Sequence, residues 1–223
     1  MGNNNIKGLI NSKLKYLCSD YMEIIEHINK LGSDYKLYDA IMAYKAGIKE
    51  TDMDKDIKFV LYVHRMHPLR YSKEQREVNT NWLYNVCLTQ IRFCKNIEPK
   101  LKNYDFKKWF KQYRRFLALC RKYPTKVIVP TLIEDFIWHA HMQNNYIYLY
   151  DTKNIIGKPL DHDDEISEDL LQKYKKERQY LTSRTKYTDS GTSSCVVMVP
   201  GFCGGSGGDV GGSSCGGCGG GGD

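Results

Sequence analysis

Apolar residues recur three and four positions apart along most of the chain from Ile6 to Leu181, and helix caps and breakers separate the runs. This pattern predicts helices over 6–17, 21–31, 35–46, 54–66, 72–95, 105–121, 132–150 and 168–181. Asp20 and Gly32 bracket the second, Gly47 stops the third and Pro68 follows the fourth. Ser72 with Gln75 and Thr131 with Glu134 have capping-box spacing. Inward positions include Ile57, Val60, Leu61 and His64 in the fourth helix, then Val78, Trp82, Val86 and Phe93 in the fifth. In the last they are Leu170, Leu171, Tyr174 and Leu181. Only Val127-Ile128-Val129, ahead of Pro130, reads as extended. The expectation is an all-α fold, a single domain of seven or eight helices over residues 1–188.

The helix opening at Leu132 carries the most chemistry. Leu132, Phe136, Ile137, Ala140 and Ile147 are apolar on more than one side, which places it centrally. At about 100° per residue, Asp135, His139 and Tyr146 share one side, and Glu134, His141 and Tyr148 lie nearly opposite. His139 and His141 therefore point apart, and one ion cannot be held by both. In a His-Glu-x-x-His helix, by contrast, the i, i+4 spacing puts both ligands on one face. Asp135 lies one turn before His139, where a carboxylate orients an imidazole or shares a metal with it. If the turn His162-Asp163-Asp164 folds back, Asp135, His139, His162 and Asp163 form a donor set for zinc or another divalent ion. The competing reading is a polar clamp in which these groups bond one another. The turn's carboxylates also suit the positive start of a helix capped by Ser167. The side on which His162 falls decides between metal and clamp.

This stretch resembles the glycine-rich domain-containing protein family, whose members carry P-T-L-x-x-D-x-x-W-H-x-H followed by G-x-x-L-x-H-D-D. The matching residues are Pro130, Thr131, Leu132, Asp135, Trp138, His139 and His141, then Gly157, Leu160, His162, Asp163 and Asp164. Tyr148 completes the signature set. Asn145 and Asp151-Thr152 stand where the family often has Pro and Asp-Cys, so a role needing that cysteine does not carry over. His64-Arg-Met-His-Pro-Leu-Arg-Tyr71 resembles the family's other block, H-R-L-N-P-x-x-Y, with Leu61 and Tyr62 where a Trp-His pair would stand. Sliding the chain so that Phe59 falls on Phe136 also sets His64 on His141 and Tyr71 on Tyr148, an internal echo. The resemblance implies an interaction or adaptor protein with a protein partner, linked in plants to growth and stress responses, and no reaction.

Charge adds an alternative. Eight Lys or Arg and no acid lie between Phe106 and Lys126, and Lys107, Lys108, Lys111, Arg114 and Arg115 form one face of a helix. Such a face with interleaved rings suits nucleic acid, RNA included, the cations meeting phosphates and the rings stacking bases. Those rings sit at core spacing, which argues for an ordinary solvated face. A metal-dependent enzyme at the Trp-His-Ala-His helix is the second alternative. Cys18, Cys87, Cys94 and Cys120 fall inside helical patterns as small hydrophobes. No glycine-rich phosphate loop between strand and helix is present.

Residues 189–223 differ in kind: they hold 14 of the 19 glycines, four of the eight cysteines and no Lys or Arg. They read as a disordered low-complexity tail. Within it Cys195, Cys203, Cys215 and Cys218 are a weak zinc set, Cys215-x-x-Cys218 alone having a familiar spacing. No secretory leader or 18-residue apolar run occurs, so the expected setting is cytoplasmic, without a membrane span.

Overall fold

A computed structural model describes residues 13–31 and 36–184 and the backbone of 196–198. The fold is all-α. Among the described residues there are nine α-helices: α1 (Lys13–Lys30), α2 (Leu37–Lys45), α3 (Lys55–Arg65), α4 (Pro68–Glu74), α5 (Thr80–Leu101), α6 (Phe106–Lys122), α7 (Leu132–Met142), α8 (Asn145–Ile156) and α9 (Glu168–Ser183). Strand β1 (Asp161–Asp163) pairs antiparallel with β2 (Val196–Met198), His162 opposite Val197. No helix among the described residues is long and apolar enough to cross a membrane.

One apolar cluster runs through α1–α8 and takes Leu181 from α9. In α1 the buried positions Leu14, Cys18, Tyr21, Ile24, Ile25 and Ile28 keep helical spacing, and this face lies against α3, α5 and α7. In α6 Trp109, Phe110, Tyr113, Phe116, Leu117 and Cys120 turn inward against α7 and α8. Every residue of α7 after Leu132 is buried, which makes it the central rod. Its start has the expected capping box: Thr131 Oγ1 accepts from Glu134 N, and Glu134 Oε2 accepts from Thr131 N at 2.7 Å.

Some boundaries differ from the pattern-based expectation. The break at Asp20 is absent, since α1 runs unbroken through Cys18-Ser19-Asp20. Ser72 does not open a long helix. Its hydroxyl bonds back to Pro68 O at 2.8 Å inside α4, and Gln75 takes a positive φ of 46°. The long helix begins instead at Thr80, where the Asn79 side chain accepts from Trp82 N at 3.0 Å. The helix expected over 132–150 is two, because the Asn144 side chain caps a fresh start by accepting from Ile147 N at 3.1 Å. Tyr146 consequently sits on α8 and is 82% exposed, away from Asp135 and His139. Leu170 is exposed, whereas Leu171 and Leu181 are buried as their spacing requires. Of the tail read as disordered, Val196–Met198 is paired as β2, and Cys195, Cys203, Cys215 and Cys218 lie outside the described residues.

Candidate functional site

The two faces of α7 hold two separate polar clusters, as its periodicity requires. On one face His141 places Nδ1 3.0 Å from Tyr113 Oη and Nε2 3.1 Å from Asp151 Oδ2. Beside it Trp138 donates its indole N–H to Tyr148 Oη at 2.8 Å, and Tyr148 donates on to Leu160 O at 2.8 Å. These bonds fix α8 and the approach to β1. Glu134 does similar work at the start of α7, accepting from Arg178 at 2.8 Å and so tying α9 to the rod. Asp151 therefore serves as the carboxylate partner of His141.

On the other face His162 falls on the Asp135/His139 side. β1 brings its ring down so that His139 Nε2 and His162 Nε2 are 2.7 Å apart. Asp135 Oδ1 lies 3.2 Å from the first nitrogen and 3.7 Å from the second. All three side chains are at most 1% exposed. A tetrahedral ion with bonds of about 2.0–2.1 Å holds its donors about 3.3 Å apart, which is the scale of this triangle. At 2.7 Å the two imidazole nitrogens are close enough to share one proton.

Behind the triangle lie further partners. Tyr21 Oη is 3.4 Å from His139 Nδ1. Asp164 Oδ2 is 3.5 Å from both His162 Nδ1 and His67 Nε2, and it accepts from Gln90 Nε2 at 2.9 Å. Of the expected metal set, Asp135, His139 and His162 converge and Asp163 does not: its carboxylate accepts from Glu165 N at 2.8 Å at the surface. The period-2 alternation of a strand explains the exchange, since His162 and its neighbours cannot face the same way. Asp164 turns inward just past the strand end.

The charges follow this geometry. Burial works to raise the Asp135 carboxyl, but His139 and His162 outweigh it and hold it well below the ordinary range. Burial lowers His139, and Asp135 offsets this only in part. For His162 burial is opposed by Asp164 and Asp135 together, which carry the imidazole up to about 9. Asp164 is held at about 2, burial being overcome chiefly by His162. Without an ion, His162 is thus a cation between two carboxylates, with a neutral His139 against it.

Sequence spacing did not point to His67, Gln90 or Tyr21 in this cluster, nor to Arg178 at Glu134 on the opposite face of α7. His67 lies in the His64–Tyr71 block, and its role follows from a hydrogen bond across 95 positions, Nδ1 to His162 O at 3.0 Å. Elsewhere, Lys107, Lys108 and Lys111 are exposed and Arg114 and Arg115 half-buried, while Trp109, Phe110, Tyr113 and Phe116 are buried and closed to base stacking. Burial pushes the thiols of Cys18, Cys87, Cys94 and Cys120 well up, so none is a ready nucleophile.

No family profile, curated protein or solved structure matches the chain.

Proposed function

We propose that this chain is an interaction module whose fold is braced by a buried divalent ion, zinc by its donor set, held by Asp135, His139 and His162. The observation that carries the reading is the convergence of one carboxylate oxygen and two imidazole nitrogens, 2.7–3.7 Å apart, in a water-excluded core. The ion would tie α7 to β1, the two parts that carry the residues resembling the glycine-rich domain-containing family. That resemblance supports an interaction role for the braced surface. The second line of support is the surroundings of each ring: Tyr21 stands at the far nitrogen of His139 and Asp164 at that of His162, an outer shell of the kind that orients metal-ligating histidines.

Three donors leave one position of a tetrahedral ion open. With side chains at most 1% exposed, that position admits nothing larger than water unless the fold opens, which favours a bracing role over catalysis. The test is elemental analysis of untagged full-length protein with Cys195, Cys203, Cys215 and Cys218 replaced by Ser, so that tail thiols add nothing. Bound metal that is lost in Asp135→Asn and His139→Ala, with a chelator-dependent fall in Tm, is the expected result. A metal-free protein indifferent to a strong chelator and to added zinc would end this reading and leave the clamp.

A second reading keeps the exposed cations of α6. With the rings buried, a polyanion would be met through phosphates alone, so binding would show a steep salt dependence and little sequence preference. A gel shift with unrelated RNA and DNA at two salt concentrations tests it, and no shift at low salt removes it.

A further inference from the structure

His162 has two ring nitrogens, and the metal reading uses one. The other, Nδ1, is buried, and no hydrogen bond reaches it. The same holds for His67 Nε2. Both nitrogens aim at one atom, Asp164 Oδ2, from 3.5 Å, and the three donor atoms lie within 4.8 Å of one another. His67 is 6% exposed and His162 3%, so bulk water does not satisfy them.

The tautomer of His67 sharpens this. Its Nδ1 lies 3.0 Å from the carbonyl oxygen of His162, an acceptor, so Nδ1 carries the proton. His67 Nε2 is thus the ring atom left facing the carboxylate oxygen. As a lone pair it would pair with Asp164 Oδ2 as a metal donor, and His162 Nδ1 makes a third donor once Nε2 binds an ion and the ring gives up its protons. A cation among the three resolves all of these contacts, and the separations from Asp164 are again of the order of the roughly 3.3 Å expected around a tetrahedral ion. Gln90 holds Asp164 in place through Nε2 while its own Oε1 has no partner.

We propose that His67, His162 Nδ1 and Asp164 form a second divalent-metal position, so that the His162 imidazole bridges two ions. The proposal rests on the first metal position. Filling both nitrogens makes the ring an imidazolate, its protons leaving to solvent. Three anionic ligands, Asp135, Asp164 and the imidazolate, then face two dications, which limits the charge left in the core. The second position joins the His64–Tyr71 block to the Trp-His-Ala-His block through one ring, which neither block does alone.

The experiment is copper(II) titration of the full-length tail Cys→Ser protein, followed by equilibrium dialysis and low-temperature EPR. Two equivalents bind, and the EPR signal of the first collapses as the second enters, because ions sharing an imidazolate couple antiferromagnetically. In His67→Gln one equivalent binds and its uncoupled signal persists. Asp164→Asn, checked for native circular dichroism, gives the same result if His67→Gln fails to fold. One uncoupled equivalent in the parent protein, unchanged by His67→Gln, overturns the second position and leaves the first standing. No bound copper in the parent overturns both.

Discussion

Adding 77 to the bounds of α3, Lys55–Arg65, gives those of α7, Leu132–Met142, and the same shift carries Pro68, the start of α4, to Asn145, the start of α8. The caps coincide as well: Asp54 maps on Thr131 and His67 on Asn144, each an N-cap position. His64 meets Tyr71 edge-on at 5.1 Å and 82°, and His141 meets Tyr148 at 5.2 Å and 86°. Each histidine also has a phenol at Nδ1, from Tyr44 at 2.8 Å and from Tyr113 at 3.0 Å. The two helix pairs thus share a frame. They differ on the face that matters: Lys58, Leu61 and Tyr62 stand where α7 has Asp135, Trp138 and His139. Lys58 and Tyr62 are half-buried and line an open polar cavity of about 390 Å³, whereas the equivalent face of α7 is sealed under α1 and β1. The frame sets where a polar pair points, and the cover determines whether that pair becomes a site.

Substitution across the pair gives the largest expected contrast. His139→Ala should cost about 3–5 kcal/mol by urea denaturation, since it leaves buried charge without its partner. Tyr62→Ala, on a half-open face, should cost clearly less. Equal losses would mean that the cover has not made the second copy special. Next comes Trp138→Phe, which keeps most of the ring and removes the indole donor to Tyr148. A loss of about 1–3 kcal/mol is expected, with the near-ultraviolet spectrum of the core retained.

His64 gives a pH test confined to the first copy. Burial, with some help from the charge of His67, lowers its imidazole from 6.5 to about 3. The unfolded chain therefore takes up this proton as pH falls below about 6.5, and the folded chain does so only near 3. The stability that neutral His64 contributes is present above 6.5 and lost on acidification, by at most about 1.4 kcal/mol per pH unit. His64→Gln should flatten the acid limb of a stability–pH curve over that window. An unchanged limb would show that His64 is protonated in the folded state. The smallest effect is expected for the combined Lys107, Lys108 and Lys111→Gln variant, which should change stability by under about 0.5 kcal/mol for each site while flattening any salt dependence of polyanion binding.

Much of this was legible because helix periodicity is local. The Thr131 cap, the opposed faces of His139 and His141 and the buried rings of α6 all follow from helical spacing. The echo between α3 and α7 was legible too, because the same spacing recurs in both. The break after Met142 was not legible: the apolar pattern continues, and only the side chain of Asn144, capping Ile147, interrupts the backbone. The choice of Asp164 over Asp163 was hidden for another reason. It depends on three residues being extended, and that strand gains its ladder from Val196–Met198, far later in the chain. His67 and Gln90 were beyond reach of any local pattern, since they meet the site through contacts spanning 95 and 74 positions.

Those long spans bear on how the chain assembles. Tyr21 reaches His139 across 118 positions, and His67 reaches His162 across 95. Helix pairs such as α3–α4 and α7–α8 close short loops and are quick to form, while contacts of such separation await the meeting of distant segments. The polar centre is then absent from the folding transition state, and substitutions at His67 or Tyr21 should speed unfolding while leaving the refolding rate nearly unchanged. An ion that binds only the finished centre would act as a kinetic lock, lengthening the life of the native state without hastening its formation.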